Sequence, residues 1–254
     1  MQISIRESKS YSKLIAWVKL LETVNDEMTL VFSSDGISSR TMDNSHVEML
    51  ECTIPASLFD EYKVDESDEQ ITFSITELRK VLDQFDIKKE NVTIMHDSEK
   101  AKLVLKANRG SGQRVRQFSV NLLEQINDDT PEPKIIFKSK VQLIIEDLRE
   151  ALTAAAMYTE NVIFIINELK NPKLRIEGKG DLGNYWDEIT PISASCDESS
   201  TATFTLSYIM ELVKALKPLA EKVTINMTTD MPLQIDVELE AGKLQLWLAP
   251  CISN

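Results

Sequence analysis

The sequence predicts an α+β protein made of two similar domains, each combining antiparallel strands with two helices. Three observations carry that expectation. One stretch occurs twice: Ile71–Asn91 and Thr203–Asn226 align at a constant shift, placing Phe73 on Phe204, Ile75 on Leu206, Leu78 on Ile209, Val81 on Leu212, Leu82 on Val213 and Phe85 on Leu216. The match runs on through Val92 on Val223 and Ile94 on Ile225, and the shift is near half of the 254 residues, as a duplicated domain requires. Most other segments alternate apolar and polar residues with the period of half-buried strands, and four segments take helical spacing instead.

In chain order, MQISIRE alternates with Ile3 and Ile5 on one face. Ser10–Leu21 is the first helix, with Leu14, Val18 and Leu21 on its apolar stripe and Tyr11 and Ile15 beside them. MTLVFSSDGISSRTMD reads as a hairpin turning at Asp35-Gly36. Thr76–Phe85 is the second helix, and VTIMHDSEKAKLVLKAN a second hairpin with a polar turn at Asp97–Lys100. Leu122–Lys134 contains Asn127, two aspartates, Thr130 and two prolines, so it breaks regular structure and divides a domain 1–121 from a domain 135–254. Its Leu122, Leu123 and Ile126 give this connector an apolar edge suited to docking. The third helix is Glu146–Met157 and the fourth Ser207–Leu216, ended by Pro218. Thr76 and Ser207 stand at equivalent N-cap positions. NVIFII, KLRIEGKG, PISASC, KVTINM, LQIDVELE and KLQLWLAP complete a count of about six to eight strands per half.

Composition narrows the chemistry. Cys52, Cys196 and Cys251 form neither a zinc spacing nor an even disulfide framework, which suits a reducing, intracellular setting. His46 and His96 are the sole histidines, too few for a histidine-rich metal site, and no cofactor is expected. No apolar run approaches a membrane span, and the N-terminus lacks a signal-peptide core. The net charge of −13 argues, taken as a total, against nucleic-acid binding. A binding face depends on where the charges sit. Opposite the apolar stripes lie Lys9 and Lys13 on the first helix, Lys80 on the second and Lys214 on the fourth, with Lys19, Arg79 and Lys217 on the flanks, and Glu77, Asp83 and Glu211 dilute the pattern. The third differs: Glu146 and Glu150 face outward and Arg149 is its one base. Exposed helix faces are commonly charged, but agreement among three helices of an acidic chain favours a cationic surface.

TMDNSHVEML (Thr41–Leu50) resembles the MD-S-HV motif of the proliferating cell nuclear antigen type of DNA sliding clamp. LQLWLAPCI resembles that family's LAPK-I ending, GKGDLGNYWDEI its G-GELG segment, and TTDMPLQIDVEL its ADVPL region, in register from residue 1 to 254. The resemblance implies a non-catalytic trimeric ring of two-domain subunits with helices lining a hole for duplex DNA, bound without regard to sequence. It also implies that polymerase, clamp loader, flap endonuclease and DNA ligase dock outside through short peptides. The pore set would be Lys9, Lys13, Lys19, Arg79, Lys80, Arg149, Lys214 and Lys217. The peptide pocket would comprise Met42, His46, Val47, Ile126, Pro131, Pro232, Leu233, Trp247, Ala249, Pro250 and Ile252, with Cys251 where many relatives have Lys. Sheet edges would join subunits, with Arg114, Val115, Arg116 and Phe118 meeting Leu174, Arg175, Ile176 and Glu177 of a neighbour. Arginines on both sides, and the acidic third helix, keep a heterotrimer of replicative or checkpoint type open beside a homotrimer. The short C-terminus, the lack of a nuclear-localisation run and the Glu/Lys-rich style lean towards an archaeal source, hence a cytoplasmic or nucleoid location; a eukaryotic clamp would be nuclear. An enzyme using Asp181, Asp187 and Glu188, or a peptide-binding adaptor unrelated to DNA, are the other classes.

Overall fold

Among the described residues, nine strands and two α-helices recur in the same order in each half of the chain. The computed structural model describes residues 1–64, 68–110, 114–125, 131, 133–167, 169–239 and 242–251. The first half runs β1 (Gln2–Ile5), α1 (Ser8–Val24), β2 (Glu27–Ser33), β3 (Gly36–Met42), β4 (Glu48–Pro55), β5 (Glu61–Lys63), β6 (Glu69–Ser74), α2 (Ile75–Leu82), β7 (Glu90–Asp97), β8 (Lys102–Arg109) and β9 (Arg114–Asn121). The second runs β10 (Ser139–Ile144), α3 (Ile145–Ala155), β11 (Asn161–Asn167), β12 (Lys173–Gly180), β13 (Gly183–Ile189), β14 (Ser193–Cys196), β15 (Ser200–Thr205), α4 (Leu206–Leu216), β16 (Lys222–Met227), β17 (Leu233–Glu238) and β18 (Lys243–Leu248). Two compact units result. Unit 1 holds Met1–Thr41, Glu51–Thr130 and Glu240–Lys243; unit 2 holds Met42–Leu50, Pro131–Leu239 and Leu244–Asn254.

The duplication extends to sheet topology. Unit 1 contains the order β5-β1-β7-β8-β9, and unit 2 answers with β14-β10-β16-β17-β18. The second sheets correspond too: β6-β2-β3, continued by residues 51–55 of β4, against β15-β11-β12-β13. All of the registers described are antiparallel, which the short hairpin connections allow. The repeated stripe forms each core: Phe73, Ile75, Leu78, Leu82 and Phe85 are buried in unit 1, as are Phe204, Leu206, Ile209, Val213 and Leu216 in unit 2. Each such side chain contributes about 1.5–3 kcal/mol on leaving water. The two helices also begin alike, because Ile75 N–H donates to Asp26 O at 2.7 Å and Leu206 N–H to Glu160 O at 2.9 Å, the residue just before β2 and just before β11.

Several local expectations need correction. Each half has nine strands among the described residues, more than the six to eight expected, since short β5 and β14 leave little periodic signal. The N-caps are Ser74 and Thr205, not Thr76 and Ser207. Ser74 Oγ accepts from Glu77 N–H at 3.1 Å, while Thr76 is inside the first turn with its own N–H on Asp26 Oδ1 at 3.0 Å. Helix α2 stops at Leu82, short of Phe85, where Asp83 closes the helix and pairs back to Arg79 at 2.9 Å. The first hairpin turns at Ser34-Asp35, since Ser33 pairs with Gly36. Gly36 has φ +147°, and a Cβ there would stand 2.1 Å from Ile54 O. The glycine thus serves close packing of β3 on the neighbouring backbone.

Candidate functional site

The helix faces come first. In unit 1, Lys9 and Lys19 are exposed and Lys13 is half-buried on α1. Glu22, at the far end of α1, meets Arg79 Nε of α2 at 2.6 Å and accepts from Thr76 Oγ1 at 2.8 Å. Arg79 also reaches Asp83 at 2.9 Å, and Lys80 pairs with Glu77 at 2.7 Å. Tyr11 O–H donates to Leu82 O at 2.5 Å, fixing α1 against the end of α2. In unit 2 a carboxylate again ties the helix pair. Glu146 of α3 binds Arg149 at 2.6 Å and Lys217, just past α4, at 2.8 Å. Hydrogen bonding from Arg149 and then from Lys217 holds the Glu146 carboxyl down to about 2, so it stays ionised. Lys214 is exposed and opens on a cavity of about 510 Å³ that it shares with Glu160, Glu211 and Met210.

The loop between β3 and β4 explains why its motif needs an aspartate. Asp43 Oδ1 accepts from Val47 N–H at 2.8 Å and Glu48 N–H at 2.7 Å, while Oδ2 accepts from Ser45 N–H at 3.1 Å. One carboxylate satisfies three backbone donors of a tight turn. His46 closes it at φ +55°, with Nδ1 3.0 Å from Met42 Sδ. Ala249 N–H then donates to Val47 O at 2.8 Å, so the loop and the segment after β18 sit side by side within unit 2. His46 is exposed, and Met42, Val47, Ala249 and Pro250 are half-buried around this junction. Pro232 is half-buried and Pro131 exposed. Two expected pocket residues are corrected: Leu233 is 0% and Trp247 4% exposed, so both are core side chains beneath the surface. Ile126 and Ile252 lie outside the described residues.

Beneath the loop is a residue that sequence reasoning passed over. Glu48 is 2% exposed, and its Oε1 has no hydrogen-bond partner. Burial first, then the neighbouring Asp43 and Glu211 carboxylates, push its carboxyl up to about 8. At neutral pH it is therefore mainly the uncharged acid.

The sheet edges give a larger correction. Among the described residues strand β9 ends its sheet, pairing with β8, and Arg114 and Val115 on it are exposed. Arg116 is half-buried, binds Glu90 at 2.5 Å and stacks over Phe85 and Phe118. Strand β12, however, is interior: it pairs with β11 on one side and β13 on the other. Leu174 and Ile176 are fully buried, and Arg175 and Glu177 pair with each other at 2.7 Å, so this quartet cannot form a sheet-edge contact. Among the described residues the sheet ends in β13 on the β12 side and in β15 on the other, and β13 has Trp186 59% exposed with Asp187 and Glu188 beside it. The signal was present in the alternation of GNYWDEI after a turn glycine. The glycines place this hairpin: a Cβ on Gly180 would stand 1.8 Å from Tyr158 O, and the Tyr158 ring stacks on Tyr185 at 6.4 Å.

Comparison with known proteins follows the same division of the chain. The family model for the proliferating cell nuclear antigen N-terminal domain matches residues 8–131, and that for its C-terminal domain matches residues 165–252. The chain is 26% identical over 260 residues to a DNA polymerase sliding clamp of Cenarchaeum symbiosum, covering 100% of both chains. It is 28% identical over 247 residues to one of Nitrosopumilus maritimus, covering 95% of each. Its fold is similar to the solved structure of the C-terminal region of FEN-1 bound to A. fulgidus PCNA, with a TM-score of 0.83 at 22% identity over 100% of this chain and 99% of that one. It is likewise similar to a PCNA2–PCNA3 complex from Sulfolobus tokodaii, with a TM-score of 0.81 at 21% identity, covering 98% and 99%.

Proposed function

The chain belongs to the proliferating cell nuclear antigen family, the DNA polymerase sliding clamps, and from that premise we propose that three subunits close into a ring around duplex DNA and tether a polymerase to it. The observation that carries the reading is the pattern of filled and open edges. Strand β18 has β4 as its neighbour in the sheet. Their counterparts in the duplication, β9 and β13, have no such neighbour among the described residues. Unfilled edges invite another chain. Two different edges on one chain join copies head to tail, the arrangement that generates rings.

The partner is a second copy of this chain. Strand β9 presents the exposed Arg114, while Arg116 is held by Glu90 at 2.5 Å; β13 carries Asp187, with Asp181 exposed just before it, while Glu188 is held by Lys173 at 2.5 Å. Opposite signs across a joint favour its formation and reject other pairings. The arginine-on-arginine clash that favoured a heterotrimer disappears once β13 replaces β12. A heterotrimer remains the second reading, supported by the fold similarity to the PCNA2–PCNA3 complex.

The surface around Met42, His46, Val47, Ala249 and Pro250 is the proposed docking place for partner peptides, those of polymerase, clamp loader, flap endonuclease and DNA ligase. The similar A. fulgidus PCNA holds the C-terminal region of FEN-1. The protein acts as a scaffold inside the cell, without catalysis, and residues 122–134 connect domain 1–121 to domain 135–254. The test is primer extension by an archaeal replicative polymerase with its clamp loader on closed circular DNA. The chain should lengthen products, and linearising the template after loading should abolish the gain. Equal stimulation on closed and linear templates would refute encirclement.

A further inference from the structure

We infer that the joint between copies is closed by a ladder of aromatic rings, in which Phe85 and Phe118 of one copy continue into Tyr185 and Tyr158 of the next. This rests on the ring reading above and deepens it by naming the side chains that meet. The register comes from the chain's own duplication. Ala249 N–H donates to Val47 O at 2.8 Å, and a Cβ on Gly242 would stand 2.1 Å from Thr53 O. These two anchors run β18 antiparallel to β4 and set Leu246 opposite Leu50. Cys251 N–H donates to Thr203 O at 2.7 Å and Leu123 N–H to Thr72 O at 2.8 Å, and Thr203 is the repeat of Thr72. Cys251 and Leu123 therefore correspond, and counting back along β18 and β9 makes Leu246 the counterpart of Phe118. Strands β4 and β13 each begin where their hairpin closes, with Asp43 N–H on Glu48 O at 2.9 Å and Gly180 paired with Gly183. The third residue of each is Leu50 and Tyr185. Phe118 on β9 of one copy thus falls opposite Tyr185 on β13 of another.

Burial supports the pair. Leu246 is 1% and Leu50 0% exposed, whereas Phe118 and Tyr185 are half-buried in the single chain. Both rings are held in place before a partner arrives. Phe118 meets Phe85 edge-on with centroids 5.4 Å apart, and the Arg116 guanidinium lies over both rings, 5.5 and 5.9 Å from their centres. Tyr185 stacks on Tyr158 at 6.4 Å and donates its O–H to Asp187 at 3.1 Å. Gly183 makes room for that stack, since a Cβ there would stand 3.2 Å from the Tyr158 ring. Preset rings lose little freedom on association, and aromatic pairs attract beyond the area they bury. The same register sets Asp187 opposite Arg116, with Arg114 at the diagonal. The partner that fits is a second copy of this chain, because one chain carries both halves of the ladder on two different edges.

Two measurements on the full chain test this. In a Cys251→Ser background, whose other cysteines Cys52 and Cys196 are buried, Ser119→Cys is combined with Asn184→Cys. Both positions are exposed, and the register sets them opposite one another. Mild oxidation should link copies into dimers and trimers on a non-reducing gel. Gln117→Cys with Asn184→Cys, out of step along the strand, should link about fivefold less. Preference for the Gln117 pair, or no linkage from either, overturns the inference. Tyr185→Ala should raise the dissociation constant of the assembly about tenfold or more, read by light scattering across a dilution series. Tyr185→Phe, which keeps the ring, should stay within about threefold of wild type. An alanine variant that assembles as tightly as wild type, or a phenylalanine variant as weak as alanine, overturns the ladder. Where circular dichroism shows Tyr185→Ala unfolded, Tyr158→Ala takes its place. The ring reading is judged separately: a wild-type chain that stimulates polymerase on closed circles, while neither cysteine pair links, keeps that reading and loses this one.

Discussion

Glu48→Gln should gain stability relative to the wild type as pH rises. The folded chain holds this carboxyl near 8, against 4.5 for an ordinary glutamate. Between those values the native state keeps a proton that the unfolded chain gives up, so stability is full below about pH 4.5 and falls as pH climbs towards 8. Each pH unit within that window removes about 1.4 kcal/mol. Between about pH 5 and pH 7.5 the wild type should lose about 3 kcal/mol that the glutamine variant retains, because the amide does not titrate. The amide also has its own fixed cost in this site, since Oε1 has no partner. That cost is the same at both pH values and cancels in the comparison. The assay is urea unfolding of both proteins at the two pH values and one fixed concentration, because association shifts apparent stability. A variant whose advantage is unchanged between pH 5 and pH 7.5 would refute the placement of a neutral carboxyl under the 43–47 loop.

Three further outcomes follow from the geometry. Pro250→Ala should weaken binding of a peptide from the C-terminal region of an archaeal FEN-1, read by calorimetry, while the subunit count by light scattering stays unchanged; full affinity would displace the docking site from this segment. Arg114→Glu should shift the chain towards monomer, and adding Asp187→Arg should restore association in part, since the edges then carry exchanged signs; a double variant no better than the single would remove charge from the joint. Gly180→Ala should cost about 1–3 kcal/mol in thermal unfolding, since its Cβ would stand 1.8 Å from Tyr158 O; an unshifted midpoint would mean that the hairpin yields easily.

Repetition was the most legible property of the sequence. Phe73 and Phe204, Ile75 and Leu206, and Leu82 and Val213 occupy matching buried places because one apolar stripe at helical spacing serves both cores. Boundaries set by polar atoms were less legible. Ser74 caps α2 where Thr76 was expected, a choice made by the position of Asp26 in space. The interior position of β12 was hidden because KLRIEGKG alternates just as an edge strand can, and only its pairing with both β11 and β13 distinguishes the two. Trp247 belongs to the expected surface by its motif, and the period of β18 sets it on the face of Lys243 and Gln245, yet it is only 4% exposed, which alternation alone does not signal. Charges were read by sign and position, and ion pairs such as Glu22 with Arg79 needed the fold to appear.

The Asp43 turn has a consequence for how such a protein can change over generations. Its shape depends on one carboxylate and three backbone amides, and the side chains of Asn44, Ser45 and His46 are exposed. Asparagine and histidine tolerate the left-handed backbone that position 46 requires, so that position accepts more than one residue. A residue without a side-chain acceptor at position 43 would strand all three donors at once. The arrangement separates a fixed pin from a writable surface: a lineage can revise what this loop shows to its visitors one residue at a time, while the strands on either side keep their places.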